Sequence, residues 1–223
     1  MAISPPPEAK KVILLGGGQH CRVVVDVIEQ AGGFEVVAIS DLPNRRGTQV
    51  LDGYVVDLTD DEVALGGRGA THSFVSHGEN LSLRRTLYEL GRRKGFVFPT
   101  LVSPFAYVSP HAQLGAGTLA VHRALVNPKT IVGQNAILNS GSIVEHDCVI
   151  GDHCHVAPGA VLYGGVHVGA MTFMGAGAVV IEGMSIGENV IVRAGSVVRH
   201  DVPDNVVVAG NPAQWIRDRP ALA

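Results

Sequence analysis

Aromatic and charged side chains are scarce in this sequence. Of its 223 residues, 5% are aromatic, with a single tryptophan, and 17% are charged, for a net charge of −3. The sequence pI is about 6.3. This slightly acidic balance indicates neither nucleic acid nor an anionic membrane surface as a partner.

Cysteine is also rare, with Cys21, Cys148 and Cys154 as its three occurrences. An odd count, together with an N-terminus that lacks the apolar core of a signal peptide, indicates a reducing compartment, the cytoplasm. Cys148 and Cys154 occupy positions that the repeat described below reserves for small side chains. We therefore expect them to be core residues and not redox or metal-binding groups.

Residues 154–181 contain no Asp, Glu, Lys or Arg. Hydropathy alone would suggest a membrane-spanning helix in this stretch. The stretch is rich in glycine, however, and each glycine inside a helix costs about 1 kcal/mol. It also keeps the six-residue period of its surroundings, so the sequence predicts no transmembrane segment.

A repeat of six residues organises the C-terminal half. Residues 102–203 divide without insertion into 17 blocks, such as VEHDCV and IGDHCH, in which the first residue is always apolar and the fifth is usually small. This period fits neither a helix nor simple strand alternation. It is typical of a parallel β-helix, in which each block forms one face of a triangular coil and three blocks complete a turn. Block-first side chains should fill the core, and third and fourth residues should face outward at corners.

The N-terminal part has a different pattern. Residues 11–15 predict a buried strand, 22–30 a helix and 34–40 a second strand, with a glycine-rich turn at residues 16–21. Such a βαβ unit can present backbone amides to a phosphate, although a plain tight turn explains the glycines equally well. Asp41 lies at the end of the second strand. It would either hydrogen-bond to the ribose or base of a nucleotide or be a solvated acidic residue of a turn. Arg45 and Arg46 are expected to be loop charges.

Further elements complete a small α/β domain. Residues 71–78 and 96–98 predict strands and residues 81–93 a helix, for a sheet of about four parallel strands. We place the domains at residues 1–100 and 101–223. Residues 1–9 should form a loose arm, and residues 206–209, with the polar tail 214–219, should cap the coil.

Histidine offers the clearest chemistry in the coil. His146 occupies a third block position, at a predicted corner, and Asp147 follows it directly. A neighbouring carboxylate can hold an imidazole in one tautomer and favour its use as a general base. No two coil histidines have the spacing of five residues that γ-class carbonic anhydrases use for zinc, so metal catalysis is disfavoured.

Three segments resemble a known bacterial family: GGGQHCRVVVDVI, NSGSIVEHDCVIGDHCHVAPGAVLYGGVHVG and AGNPA. They are similar to the sialic acid O-acetyltransferases and nucleotide-4-aminosugar N-acetyltransferases, except that Cys21 replaces the usual Gly or Ala. The resemblance implies an α/β, Rossmann-like N-terminal domain ahead of an all-β, left-handed parallel β-helix. It also implies acetyl-CoA as co-substrate, no metal, and a groove between the coils of a homotrimer.

The resemblance assigns roles residue by residue. His146 would be the catalytic base or the group that positions the amine, and Asp147 would orient it. The remaining assignments are for the acyl-transfer site, Asn139 and His155; for CoA, His155, Gly164, Gly165, Gly175, Ala176, Ala194, Asn211 and Pro212; and for the nucleotide sugar, Gly16, Gly17, Gly18, Gln19, His20 and Asp41.

These features favour an acetyl-CoA-dependent N-acetyltransferase that acts on a nucleotide-linked amino sugar. O-acetylation of a sialic acid or a related sugar would use the same histidine. A non-catalytic trimer that binds sugar nucleotides would not need the pair His146 and Asp147. Because the coil has no inserted loop, we expect the N-terminal domain and a neighbouring subunit to build the rest of the pocket.

Overall fold

A computed structural model describes residues 9–222 of the chain. The predicted N-terminal arm lies almost entirely outside these residues. The described residues form two compact units: one comprises the chain up to Gly78 together with Leu87–Pro99, and the other comprises Glu79–Thr86 and the chain from Thr100 onward.

The first unit contains a four-stranded parallel sheet in the order β5-β2-β1-β6. Apolar side chains bury β1 from Val12 onward, and helix α1 buries one apolar face against the core. The elements before residue 100 are β1 (Lys10–Leu15), α1 (Gln19–Ala31), β2 (Phe34–Asp41), the hairpin of β3 (Gln49–Leu51) and β4 (Tyr54–Val55), β5 (Leu58–Thr59), β6 (His72–Val75), α2 (Leu81–Arg93), which is shared between the two units, and two 3₁₀ turns, Pro43–Arg45 and Gly67–Gly69.

The predicted strand at residues 96–98 is wrong. Only Val97 makes a single bridge, to His72, and the fourth strand is the two-residue β5. Phe98 packs on Tyr88 with ring centroids 4.4 Å apart, so its burial reflects side-chain packing. Pro99 follows and has no N–H to continue a ladder.

Seventeen two-residue strands form the coil, one every six residues, as the repeat predicts. Each strand from β7 to β20 pairs in parallel with the strand 18 residues further on, so three strands complete a turn. The strands β7 to β23 are Leu101–Val102, Tyr107–Val108, Gln113–Leu114, Leu119–Ala120, Leu125–Val126, Ile131–Val132, Ile137–Leu138, Ile143–Val144, Val149–Ile150, His155–Val156, Val161–Leu162, His167–Val168, Phe173–Met174, Val179–Val180, Ser185–Ile186, Ile191–Val192 and Val197–Val198.

Three sheets form the faces of the coil. Face 1 contains β7, β10, β13, β16, β19 and β22; face 2 contains β8, β11, β14, β17, β20 and β23; and face 3 contains β9, β12, β15, β18 and β21. We call the connection from face 1 to face 2 the first corner, from face 2 to face 3 the second corner, and from face 3 to face 1 the third corner.

The coil interior follows the predicted block positions. Block-first residues such as Val126, Leu138 and Val156 form one continuous apolar core together with the small block-fifth residues. Cys148 and Cys154 are fully buried in that core, and their thiols lie 3.1 Å from the carbonyl oxygens of Tyr163 and Gly169. The alternation arises because neighbouring strand residues point to opposite sides of a sheet.

Glycine fills one column of the third corner, at residues 115, 133, 151, 169 and 187. A Cβ atom added at any of these glycines would lie only 2.5 to 2.7 Å from a backbone atom of the following turn. Successive turns therefore touch backbone to backbone at this corner, and no side chain fits between them.

The C-terminal end of the coil is closed by two longer strands. The predicted strand β24 (Val206–Ala209) is confirmed and pairs in parallel with β22. The expected tail contains a further strand, β25 (Gln214–Asp218), which pairs antiparallel with β24. No helix among residues 9–222 combines the length and apolar character needed to cross a membrane.

Candidate functional site

The side chain of His146 lies at the second corner, directly after β14. Because β14 pairs with β11 and β17, corner residues 18 positions apart lie one above another. This register places His146 between Pro128 and Gly164, with Glu182 one turn beyond. The predicted outward corner position is confirmed, since the His146 side chain is 57% exposed.

Asp147 holds the imidazole from one side. Nδ1 of His146 lies 2.8 Å from Oδ2 of Asp147, and Nζ of Lys129 lies 4.0 Å from the other carboxylate oxygen. Asp147 has a φ of 59°, a left-handed conformation that turns its carboxylate back toward its neighbour. In the neutral imidazole this contact favours a proton on Nδ1 and leaves the Nε2 lone pair facing outward.

Gly164 provides the surface against which the His146 ring lies. A Cβ atom at Gly164 would be 2.7 Å from Cε1 and 2.9 Å from Nε2 of His146. Gly164 is not among the residues with positive φ, so its backbone would accept alanine. Glycine is therefore needed here because the imidazole occupies the space of a side chain.

A cavity of about 410 Å³ opens beside the ring, lined by Glu145, His146, Tyr163, Gly164 and Glu182. Nδ2 of Asn127 donates a 2.6 Å hydrogen bond to Glu145 and holds this carboxylate on the wall. The phenol of Tyr163 is about half exposed. The arrangement combines an oriented imidazole with acidic and phenolic walls, which suits recognition of a cationic or hydrogen-bonding group.

Asn139 and His155 form a second pair. Asn139 lies at the first corner, and its Nδ2 is 3.0 Å from Nε2 of His155 on the outer side of face 1. His155 is only 3% exposed and meets the ring of Phe173 edge-on, with centroids 5.1 Å apart. Packing thus fixes this imidazole, whereas that of His146 is open to solvent on one side.

One copy of the chain does not bring all the predicted acyl-site residues together. The first and second corners are opposite edges of face 2. Gly164 and Gly165 lie with His146 at the second corner, whereas Gly175, Ala176 and Ala194 lie with Asn139 at the first. Asn211 and Pro212 follow β24 at the end of the first corner, where Ala213 N donates to Val197 O at 2.7 Å.

The glycine-rich turn after β1 is held by an acid and a guanidinium. Gly17 N–H donates to Oδ2 of Asp41 at 2.9 Å, and Arg45 donates to Gly17 O at 3.1 Å while pairing with the same carboxylate. Gly16 has a φ of 103°, which only glycine adopts without strain. Arg45 and Arg46 lie in a connecting segment, as expected of loop charges, and both form ion pairs, Arg45 with Asp41 and Arg46 with Glu62.

The histidines of this turn lie beside β6. His77 approaches Gly16 and Gly18, and His20, next to Gln19 in the first turn of α1, lies against Gly78. Cys21 is fully buried, and this burial raises the pKa of its thiol to about 11. The cysteine is thus a core residue that packs where the family pattern has a smaller one.

Four residues of these two sites escaped the sequence prediction: Tyr163, Glu182, Arg45 and His77. The 18-residue register is a signal that would have found both Tyr163, one turn after Glu145, and Glu182, two turns after His146. No comparable signal marks Arg45 or His77, since both depend on how strands β1, β2 and β6 meet. Within residues 9–222, no group of three or more His, Cys, Asp or Glu side chains is arranged to hold a metal ion.

Comparison with known proteins places both parts of the chain. Residues 11–90 match a family model described as the PglD N-terminal domain, and residues 129–164 match the bacterial transferase hexapeptide model. A histidine variant of perosamine N-acetyltransferase from Caulobacter crescentus, solved with CoA and GDP-perosamine, is 36% identical over 97% of this chain and 100% of its own, with a TM-score of 0.88. The chain belongs to the nucleotide-aminosugar N-acetyltransferase family.

Another member of this N-acetyltransferase family supports the assignment. The acetyltransferase domain of PglB from Neisseria gonorrhoeae, solved with acetyl coenzyme A, is 30% identical over 94% of this chain and 100% of its own, with a TM-score of 0.85. The search of curated proteins found no match. The predicted family, the two-part fold and the sugar N-acetyltransferase class are confirmed.

Proposed function

We propose that the protein transfers the acetyl group of acetyl-CoA to the amino group of a nucleotide-linked amino sugar, with His146 as the group that handles the proton. The observation that carries this proposal is the His146–Asp147 pair, held over Gly164 beside an open cavity. Two relatives at 36% identity, PerB and a histidine variant of perosamine N-acetyltransferase, were crystallised with CoA and GDP-perosamine, which supports both substrates.

The reaction follows from the chemistry of the groups present. The amine nitrogen attacks the thioester carbonyl carbon, the new C–N bond forms, and the C–S bond then breaks to release the thiolate of CoA. Nε2 of His146 takes a proton from the attacking nitrogen and returns it to the sulfur, while Asp147 stabilises the imidazolium. Proton transfer of this kind contributes about 10²- to 10⁴-fold to a rate.

Corner amides would hold the thioester and the pantetheine arm. The N–H groups of Gly165 and Gly175 already donate to His146 O and Val192 O, at 2.9 and 2.8 Å. Within the described residues, no backbone partner is found for the amides of Gly164, Ala176 or Ala194. We therefore assign the contacts with acetyl-CoA to these three amides, of which Gly164 is best placed to stabilise the oxyanion beside His146.

A homotrimer would complete the site. The outward residues of face 2 form an unbroken apolar column of Tyr107, Leu125, Ile143, Val161, Val179 and Val197. Packing three such faces around an axis buries the column and sets the second corner of one copy against the first corner of the next. His146 would then meet Asn139 and His155 of a neighbouring copy across one groove.

The nucleotide sugar would bind to the first unit, at residues 16–20 and Asp41. Asp41 already accepts hydrogen bonds from the N–H groups of Gly17 and Leu42 and forms an ion pair with Arg45, so it would act mainly by fixing the turn. The helix amides of Gln19 and His20, at the N-terminus of α1, suit the diphosphate. The three free, buried thiols fit a reducing compartment such as the cytoplasm.

The test replaces His146 by alanine. We expect turnover with acetyl-CoA and a nucleotide-linked 4-amino sugar to fall at least ten-fold, with the oligomeric state and CoA binding unchanged. His111→Ala is the matched control, because His111 is an exposed histidine on the same corner two turns earlier, and it should keep wild-type turnover. Near-normal turnover of His146→Ala would remove this residue from the chemistry.

A further inference from the structure

The size of the side chains at the first and second corners, which flank face 2, changes along the coil. Before the turn of His146 they carry bulky side chains, including Phe105, Arg123 and Lys129. Beyond it, the first corner reads APGA and GAGA at residues 157–160 and 175–178, and the second reads YGGV at residues 163–166. The first corner thus lacks large side chains in the two turns beyond His146, whereas the second corner carries the exposed Glu182 two turns beyond His146.

Two arginines follow further along these two corners. Arg193 lies at the first corner and Arg199 at the second, on either side of strand β23. Both are exposed, and neither guanidinium has an ion pair or hydrogen bond within residues 9–222. Exposed guanidinium groups that have no partner in the described part of the chain are placed to meet an anion.

The distance from the His146 imidazole to these arginines matches the distance between the sulfur and the diphosphate of CoA. Arg199 lies 54 residues beyond Glu145, which is three turns, or about 14 Å at the strand spacing of a sheet. The arm of CoA between its sulfur and its diphosphate has the backbone length of about four extended residues, which is also about 14 Å. With the thioester at His146, the phosphates would arrive at the level of the arginines.

The charges around His146 favour the same orientation of a bound CoA molecule. Glu145, Asp147 and Glu182 surround the imidazole, so a polyanionic end of a ligand is repelled from this turn. At the other end the two guanidinium groups stand against one nearby carboxylate, that of Asp201, whose Oδ1 accepts the N–H of Ser185 at 2.8 Å. The groove is therefore acidic where the thioester reacts and basic three turns later.

From this geometry we propose that Arg193 and Arg199 bind the phosphates of CoA. The inference rests on the proposed function, which puts the thioester at His146. In the trimer proposed above, Arg199 of one copy would face the first corner of the next copy, and with it the second copy's equivalent of Arg193. The phosphates would then be held from both walls of the groove.

The experiment compares acetyl-CoA with acetyl-pantetheine, which lacks every phosphate. We expect Arg199→Gln and Arg193→Gln each to raise the KM for acetyl-CoA about ten-fold, with kcat and the KM for the amino sugar unchanged. Arg199→Lys should recover part of the loss. With acetyl-pantetheine both glutamine variants should match the wild type. The control is Arg123→Gln, at the first corner on the opposite side of His146, which should leave all constants unchanged.

An unchanged KM for acetyl-CoA in both glutamine variants would overturn the proposal, and so would an equal loss with acetyl-pantetheine. Calorimetric titration with CoA alone separates this inference from the proposed function. If the wild type binds CoA in an arginine-dependent way but acetylates no amino sugar, the proposed function fails and the phosphate site stands.

Discussion

The imidazole of His146 lies against the α-carbon of Gly164, one turn further along the coil. A side chain of a single carbon at Gly164 would come within 2.7 Å of the ring. The orientation of the His146 ring thus depends on the lack of a side chain at Gly164 as much as on the hydrogen bond to Asp147. Two contacts, one polar and one steric, leave the ring little freedom.

Gly164→Ala should displace the His146 ring without disturbing the coil. The backbone of Gly164 has no positive φ, and Ala176 occupies the equivalent position at the first corner, so the fold accepts a Cβ atom there. We expect kcat to fall about ten-fold or more because the ring leaves its productive geometry. Steady-state kinetics with acetyl-CoA would measure the change.

A double variant supplies the control for this steric argument. Once His146 is alanine, adding Gly164→Ala should cost no further activity and little stability, because the clash has gone. Additive losses in the double variant would mean that Gly164 acts through its amide or through CoA, and not through the ring of His146.

Arg84 should be one of the most sensitive positions for stability. Its side chain is fully buried and donates to the main-chain and side-chain oxygens of Asn135, at 2.8 and 2.9 Å. Burial lowers the pKa of this guanidinium to about 9. Arg84→Ala leaves two buried oxygens of Asn135 without these donors and should reduce the free energy of unfolding by about 2 to 6 kcal/mol, since each unsatisfied buried acceptor costs about 1 to 3 kcal/mol.

Chemical denaturation would measure this loss, with Arg92→Ala as the control. Arg92 is exposed on the same helix, and its replacement should change the free energy of unfolding by about 0.5 kcal/mol or less. Similar effects of the two replacements would show that the buried guanidinium contributes no more than a surface charge.

Stability should fall as the pH rises above about 9. Burial raises the pKa of Cys154 from 9.0 to about 12 and that of Cys21 to about 11. Above pH 9 the unfolded thiols lose their protons while the folded thiols keep them, so unfolding becomes more favourable by about 1.4 kcal/mol per pH unit for each thiol. The lowered pKa of Arg84 acts in the opposite sense and offsets the contribution of one thiol, so the net stability still falls. Urea unfolding between pH 8 and 10.5 would record the slope.

Cys154→Ala should make the free energy of unfolding fall less steeply with pH, by the contribution of one thiol, about 1.4 kcal/mol per pH unit. Ser142→Ala is the matched control, because Ser142 is another fully buried block-fifth residue that carries no titrating group in this range. If Cys154→Ala kept the wild-type slope, the thiol would ionise in the folded protein as it does in the unfolded chain.

Local repetition explains how much of the fold was predictable. Each strand of the coil is specified by its own six residues, and the block-first position predicted the core at Val126, Leu138 and Val156. The first unit lacks such redundancy. Strand β5 has only two residues, Leu58 and Thr59, and no pattern of that length separates a strand from a loop.

The site was predictable where its residues are neighbours in sequence. Asp147 follows His146 directly, and the structure joins them at 2.8 Å. Asn139 and His155 came from the family resemblance, and the structure brings them into contact between neighbouring turns of the coil. Arg45 was missed because its contact with Gly17 spans 28 positions and depends on the closure of the sheet. The roles in catalysis stay predictions.

The glycine column of the third corner makes the coil resistant to stretching along its axis. Since consecutive turns rest on each other through main-chain atoms, their spacing is fixed by main-chain packing and hydrogen bonds and not by the choice of side chains. Inserting or deleting one full repeat of 18 residues would therefore lengthen or shorten the coil by a constant increment. Equivalent corner groups in different turns are then separated along the coil axis by a whole number of such increments.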